Sequence, residues 1–379
     1  MALVLAAPIA QTGLSVVNIA YGNSWPRSIV VDSGRQLVFV DGESGIYPPD
    51  GFSFGVLTTS NETMGKVIGL PEVPGELALD ATSDTVYSAG QNTVSVIDGK
   101  SMTLERTLAL KIPIFSIAFD GSSDNLLVTS GNRVFELDPV SGVLLRNATV
   151  GEAAEGMAVD PASGVVFVAS YLSSSVSVLR TSDLAVVKTV ELPSPSYPSQ
   201  LSLDAKRAVL YVTTGEQSVV EVSSTKYSVV GSVRVSQSSV NGTYALAVDP
   251  QRNRLFVATE PGTTISELNE TTGALLSAFT FHSAVYEMAV DQTTGKLYVT
   301  NYHQVSVVSP VDVLAASPQP LQYLPLAVLA VGAIVVALYL VVRSFTASDG
   351  RRDGSARQRQ RGRSLWPSFR RQLPAGPLR

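Results

Sequence analysis

Seven short apolar runs, each ending in aspartate, recur along the chain: SIVVD at Asp32, ELALD at Asp80, SIAFD at Asp120, GMAVD at Asp160, LSLD at Asp204, ALAVD at Asp249 and EMAVD at Asp291. Successive aspartates are 48, 40, 40, 44, 45 and 42 residues apart. A fixed period in the low forties means one structural unit used seven times, each too small to bury its apolar face alone. About five residues after each Asp a second apolar run begins (LVFV, TVYS, LLVT, VFVA, LYVT, LFVA, LYVT), and a third alternates polar and apolar residues, as in TVSVID and SVSVL. A fourth comes after a turn-forming stretch, as in LERTLAL and AVVKTVEL. No unit carries a helical period, so each reads as a four-stranded antiparallel sheet.

Seven such sheets at this spacing predict an all-β, seven-bladed β-propeller over residues 13–309. The last unit stops after its third run at Ser309, while an orphan strand, GLSVVNIA, precedes the first. Its pattern is that of a fourth run. We therefore expect it to complete blade seven and close the ring, which removes the open sheet edges that invite aggregation.

The chain changes character after the last repeat. Residues 313–342 hold no charge, and 324–342 (LPLAVLAVGAIVVALYLVV) is almost wholly apolar. Nineteen helical residues span about 28 Å, close to the ~30 Å hydrocarbon thickness of a bilayer. We expect one transmembrane helix over 321–342, after a linker at 310–320. Residues 343–379 carry ten Arg and two Asp, or +8, so the rest of the chain carries −13 against a net charge of −5. By the positive-inside bias this Arg-rich tail, read as disordered and drawn to anionic lipid, is cytoplasmic and the propeller extracellular, at the cell membrane. Residues 1–12, with a short apolar run and no basic residue before Arg27, read as a truncated signal segment. Four Asn-X-Thr sequons begin at Asn61, Asn147, Asn241 and Asn269, all in the body. The acidic body is a poor match for nucleic acid, whose phosphates need clustered Lys and Arg.

The chain has no Cys and two His, His282 and His303. That removes disulfides, thiolate chemistry and Cys-ligated metals, and leaves no defensible catalytic triad. Lack of Cys suits an archaeal or bacterial envelope protein better than a eukaryotic secreted one.

KLYVTNYHQVSVV in the last unit resembles the repeat named for its Tyr-Val-Thr-Asn motif (YVTN), found in archaeal surface-layer-type proteins and in YncE-like seven-bladed propellers. VLYVTTGEQSVVEV and GVVFVASYLSSSVSVL are related, and only the last unit holds the full motif, at Tyr298, Val299, Thr300 and Asn301. The resemblance implies the propeller fold. It says little about function, since propellers host binding, scaffolding and enzymatic roles.

Strand alternation puts the second-to-third and fourth-to-first loops on one face and the seven aspartates on the other. We expect the aspartates to cap the tight turns after them through Asx-type hydrogen bonds. The loop rim gathers carboxylates and aromatics. Unit one adds an insertion, DGESGIYPPDGFSFG from Asp41 to Gly55, read as an expanded rim loop. Candidate ligand-binding residues are Tyr47, Phe52, Phe54, Tyr171, Tyr244, Tyr286, Tyr302 and His303. Glu76, Glu155 and Glu287 stand four or five residues before equivalent aspartates and are candidate oxygen ligands for a divalent cation. The expected function is a membrane-anchored, non-catalytic binding or cell-envelope scaffold module for an extracellular protein or glycan, with no cofactor. The alternative is a metal-assisted, lactonase-like propeller hydrolase or lyase.

Overall fold

The computed structural model describes residues 15–20, 24–44, 51–235, 242–259, 262–302 and 304–309. Within them seven four-stranded antiparallel sheets succeed one another. The inner strands are Ser24–Asp32, Leu77–Asp80, Ser116–Asp120, Ala154–Asp160, Leu201–Asp204, Thr243–Asp249 and Val285–Val290. Each touches the inner strands of the two neighbouring blades, and the seventh touches the first, so the sheets form a closed all-β ring about a central channel. Among the described residues no helix is long and apolar enough to cross a membrane. The expected signal segment, linker, spanning helix and tail, at 1–12, 310–320, 321–342 and 343–379, lie outside them.

Blade geometry originates in the repeated aspartate. Each of the seven carboxylates accepts a backbone N–H two or three residues on: Arg35 on Asp32, Thr82 on Asp80, Ser122 on Asp120, Ser163 on Asp160, Arg207 on Asp204, Gln251 on Asp249 and Thr293 on Asp291, at 2.9–3.2 Å. Four residues after each Asp the chain takes a positive φ, at Gln36, Asp84, Asp124, Gly164, Ala208, Asn253 and Gly295. This left-handed residue ends a four-residue hairpin loop and returns the chain in register. The turn-capping role expected of the seven aspartates is what the structure shows.

The core is distributed rather than central. Seven buried apolar clusters lie at the seven seams between consecutive blades; at the fourth seam Val165, Phe167, Val176 and Val178 meet Leu210, Val212 and Val220. Every blade thus stabilises two neighbours, and a missing face would leave two seams open to water.

Closure occurs as the orphan strand predicts. Ser15–Ala20 pairs antiparallel with Gln304–Ser309, from Ser15↔Ser309 to Ala20↔Gln304, and forms the outer strand of blade seven. Ile19 joins the cluster at the seam between blades seven and one. The YVTN residues now have physical roles. Tyr298 and Val299 are core. The Thr300 hydroxyl donates to the Arg27 carbonyl of blade one at 3.0 Å. Asn301 donates through Nδ2 to the Ser306 hydroxyl at 3.0 Å, which donates to Asn18 of the closing strand at 2.7 Å.

The structure corrects one expectation. Both flanks of the insertion in blade one are strand rather than the expected loop: the second strand runs Leu37–Ser44 and the third Phe52–Thr58, with Asp41 opposite Phe54 and Glu43 opposite Phe52, while residues 45–50 lie outside the described residues. Phe54 is 0% exposed and stacks on Phe39 at 5.8 Å in the seam between blades one and two, with Phe52 packed partly buried against the same cluster. Phe54 is a core residue, because its alternation with Ser53 and Gly55 aims it inward. Tyr47 lies outside the described residues.

The outer strands share one irregularity. In blades three to six the register shifts by one residue just after the strand begins, so that an aliphatic pair sits at the bulge: Leu144–Leu145, Val186–Val187, Val229–Val230 and Leu275–Leu276, all exposed. A bulge blunts an edge strand against pairing with another chain.

Candidate functional site

Two rows of side chains stitch the inner ends of the blades together. Four residues before each turn aspartate stand Ser28, Glu76, Ser116, Gly156, Gln200, Ala245 and Glu287. Four of the polar side chains in this row reach the next inner strand, at the backbone N–H three residues before its turn aspartate. Leu77 donates to Ser28 Oγ at 3.0 Å, Ile117 to Glu76 Oε2 at 3.2 Å, Leu246 to Gln200 Oε1 at 3.2 Å and Ile29 to Glu287 Oε2 at 3.1 Å. Antiparallel blades leave these N–H groups without a strand partner at the seam, and a buried donor must find one. At the seam between blades four and five the position is Gly156. Its own N–H donates to the Ser199 carbonyl at 3.0 Å, and a Cβ there would collide with that oxygen.

The second row stands nine residues after the turn aspartate. Thr300 accepts the Glu287 N–H at 2.9 Å before donating across the seam, and Thr129 donates to the Glu155 carbonyl of blade four at 3.2 Å. In blade one the position is Asp41, fully buried, which accepts the Ser28 N–H at 3.1 Å and the Ser88 hydroxyl of blade two at 2.9 Å.

Glu76, Gln200 and Glu287 line one end of a central cavity of about 330 Å³ walled by the inner strands. Burial pushes the Glu76 carboxyl up to about 8, with Glu287 and then Glu155 adding like-charge repulsion against the Ser116 hydroxyl and Ile117 N–H. Burial likewise raises Glu287 to about 7, against bonds from Ser28 and Ile29, with Asp41 repelling it. Asp41 rises to about 7 and Glu155 also upward, in both cases through burial. Of the three candidate glutamates, Glu76 thus feels the charge of Glu287 most and that of Glu155 less. Among the described residues no three His, Asp or Glu side chains group closely enough to hold a metal ion.

These raised carboxyls make stability depend on pH. A carboxyl whose folded pKa is raised holds its proton better in the fold than in the unfolded chain, so its stabilisation is complete below the ordinary value near 4 and is lost as pH rises through the folded value. Asp98 and Asp138, lowered by the N–H groups of Ser101 and Ser141, titrate below this window. Glu76, Glu287 and Asp41 act between about pH 4 and 8. The melting temperature should fall by several degrees from pH 5.5 to pH 8.5, and Glu76→Gln with Glu287→Gln should flatten that slope. Gln200 shows that an amide fills this position. A melting temperature that is level or rises over the interval would contradict this assignment.

The loop face above the cavity carries the exposed aromatics. Trp25 and Tyr302 stack across the seam between blades seven and one at 5.8 Å, beside the Arg27–Glu43 ion pair at 2.6 Å. Tyr171 and Tyr197 meet at 5.2 Å at the seam between blades four and five. Phe115 and Tyr244 are exposed on the same face, and Tyr286 is half-buried. Of the residues expected to bind ligand, Tyr171, Tyr244, Tyr286 and Tyr302 lie on the rim, Phe52 and Phe54 belong to the seam, and Tyr47 and His303 lie outside the described residues. An open groove of about 550 Å³ in blade five, lined by Glu216, Gln217 and Arg234, borders residues also outside them.

Sequence reasoning misses the clasp rows. Their signal is a polar residue at a fixed place in an otherwise apolar inner strand, visible only when the seven units are laid over one another. Compared with models of known families and with curated proteins, the chain gives no match. The likeness to YVTN repeats accordingly rests on the motif residues alone.

Proposed function

We propose that this chain is a membrane-anchored, extracellular propeller that acts as a non-catalytic binding module, taking a glycan or peptide on its loop rim. The observation that carries the reading is the division of labour around the channel. The titratable side chains nearest the axis accept seam hydrogen bonds, while the exposed side chains above them are stacked aromatics. Rigid aromatic pairs with an adjacent ion pair offer apolar area and directional hydrogen bonds at little entropic cost, as sugar rings and extended peptides require. The uncharged apolar run and Arg-rich tail support a single span with the propeller outside. A metal-assisted hydrolase is the second reading, favoured by two raised carboxylates facing one cavity.

Glycan and peptide arrays probed with the full chain in detergent test the proposal. Binding that persists in EDTA is expected. Binding that requires a divalent ion, or turnover of a lactone or ester, would favour the second reading.

A further inference from the structure

The residue opposite the left-handed position of each hairpin sits at the turn face of a seam, its N–H on that position's carbonyl. Thr59 donates to Gln36, Gly99 to Asp84, Thr181 to Gly164, Ser224 to Ala208 and Glu270 to Asn253, at 2.7–3.1 Å. Blade three holds Pro139 at this place. The position abuts the preceding blade: Thr181 Oγ1 meets Ser122 Oγ at 3.3 Å, and a Cβ on Gly99 would strike the Phe39 ring. Small side chains suit so tight a place. Blade six nevertheless puts a glutamate there, 1% exposed. Burying a carboxylate costs far more than burying the hydroxyl of Ser224, so packing does not account for Glu270.

Glu270 meets a second buried acid. Its Oε1 accepts the Tyr211 hydroxyl of blade five at 3.1 Å, with Arg207 Nη1 3.6 Å away. Its Oε2 finds no donor, and neither does Oδ2 of Asp204, itself 0% exposed, whose Oδ1 accepts the Arg207 N–H at 3.0 Å. The two carboxyl groups are instead hydrogen-bonded to each other. Ionised carboxylates only accept, so a bond between two of them must carry a proton. The pair then holds one proton and one negative charge, which Arg207 balances. Burial pushes the Glu270 carboxyl up to about 8, with the bond to Asp204 and its charge adding to the rise, against Arg207 and Tyr211. Glu221, on the third strand of blade five, bears on Tyr211 and is itself lowered by Arg207. In blade six, Arg252 and Arg254 are engaged by Asp249 and Glu267.

We infer that Asp204 and Glu270 share a single proton and form a pH-sensitive latch across the seam between blades five and six. With the proton in place the blades are joined; once it leaves, two buried like charges push them apart. The latch lies on the turn face and is independent of what the rim binds. Glu270 holds its proton better in the fold than in the unfolded chain, so this stabilisation is complete below the ordinary carboxylate value and is lost as pH rises through about 8.

Hydrogen exchange of the full chain, followed by mass spectrometry and corrected for intrinsic rate, tests the latch. Peptides covering Val209–Thr213 and Thr264–Asn269 report on this seam, and Val165–Ser170 on the seam between blades four and five, where Ser224 takes the glutamate's place. From about pH 6 to about pH 9.5 the first two should lose several-fold more protection than the third. Glu270→Gln should abolish the excess, because the amide donates to Asp204 and does not titrate. Glu270→Ser, which copies blade five, should do the same. Equal loss of protection at both seams would overturn the inference, as would an excess that persists in the two variants. Calcium chloride added at the upper pH should restore nothing; protection that returns with calcium would make the pair a cation site and refute the shared proton.

Discussion

A chain truncated to begin at Tyr21 melts on the order of 10 °C below the full chain and aggregates as it does so. Removing Ser15–Ala20 takes away the partner of Gln304–Ser309 along its whole length and withdraws Ile19 from the closing seam. Loss of one large buried aliphatic with incomplete collapse costs about 3–5 kcal/mol, and each kcal/mol moves the melting point of a chain this size by roughly 2–4 °C. The freed backbone of the third strand becomes an open edge, which explains the aggregation. Differential scanning calorimetry with light scattering checks both effects. Ile19→Asp in the full chain should reproduce much of the drop. A truncated chain that melts like the full one would mean that blade seven is complete without its N-terminal strand.

Phe54→Ala should be almost as damaging, at about 3–5 kcal/mol. The side chain is wholly enclosed, stacked on Phe39 and packed with Val56, Leu77, Val86 and Ile97 across the first seam. Phe54→Leu should retain much of the lost stability, because it keeps most of the volume. Chemical denaturation of the three proteins gives the comparison. An Ala variant within about 0.5 kcal/mol of the parent would return Phe54 to a loop and reopen its candidacy as a ligand contact.

The contrast between these two residues shows what the sequence makes legible. Ile19 is placed by pattern and by arithmetic: six units have four runs, one has three, and the orphan run matches the vacancy. The turn aspartates are legible because one chemical requirement recurs seven times. Phe54 escapes when the insertion is read as a single loop. Its turn chemistry, Gly45, Pro48, Pro49 and Gly51, is confined to the tip, and the alternation Phe52, Ser53, Phe54, Gly55 is a strand signal. Asp41 is hidden for the same reason, and only the pairing with Phe54 reveals it as the blade-one counterpart of Thr129 and Thr300. Glu76 and Glu287 look like ligands in sequence because a carboxylate near a channel invites that reading. Hidden in the sequence is their place in a row with Ser28 and Gln200, where each also accepts a backbone N–H across a seam.

The division between a structural channel wall and a binding rim is tested most directly by comparing two double variants on one ligand. Once an array has supplied a glycan or peptide, its affinity is measured by calorimetric titration for Trp25→Ala with Tyr302→Ala and for Glu76→Gln with Glu287→Gln, at pH 6 to limit differences in stability. Each buried aromatic anchor in such a contact is worth about 2 kcal/mol or more, so the rim variant should lose at least tenfold in affinity while the channel variant stays within about threefold of the parent. An affinity that survives loss of the aromatics but collapses when Glu76 and Glu287 become amides would place the function in the channel and contradict the account.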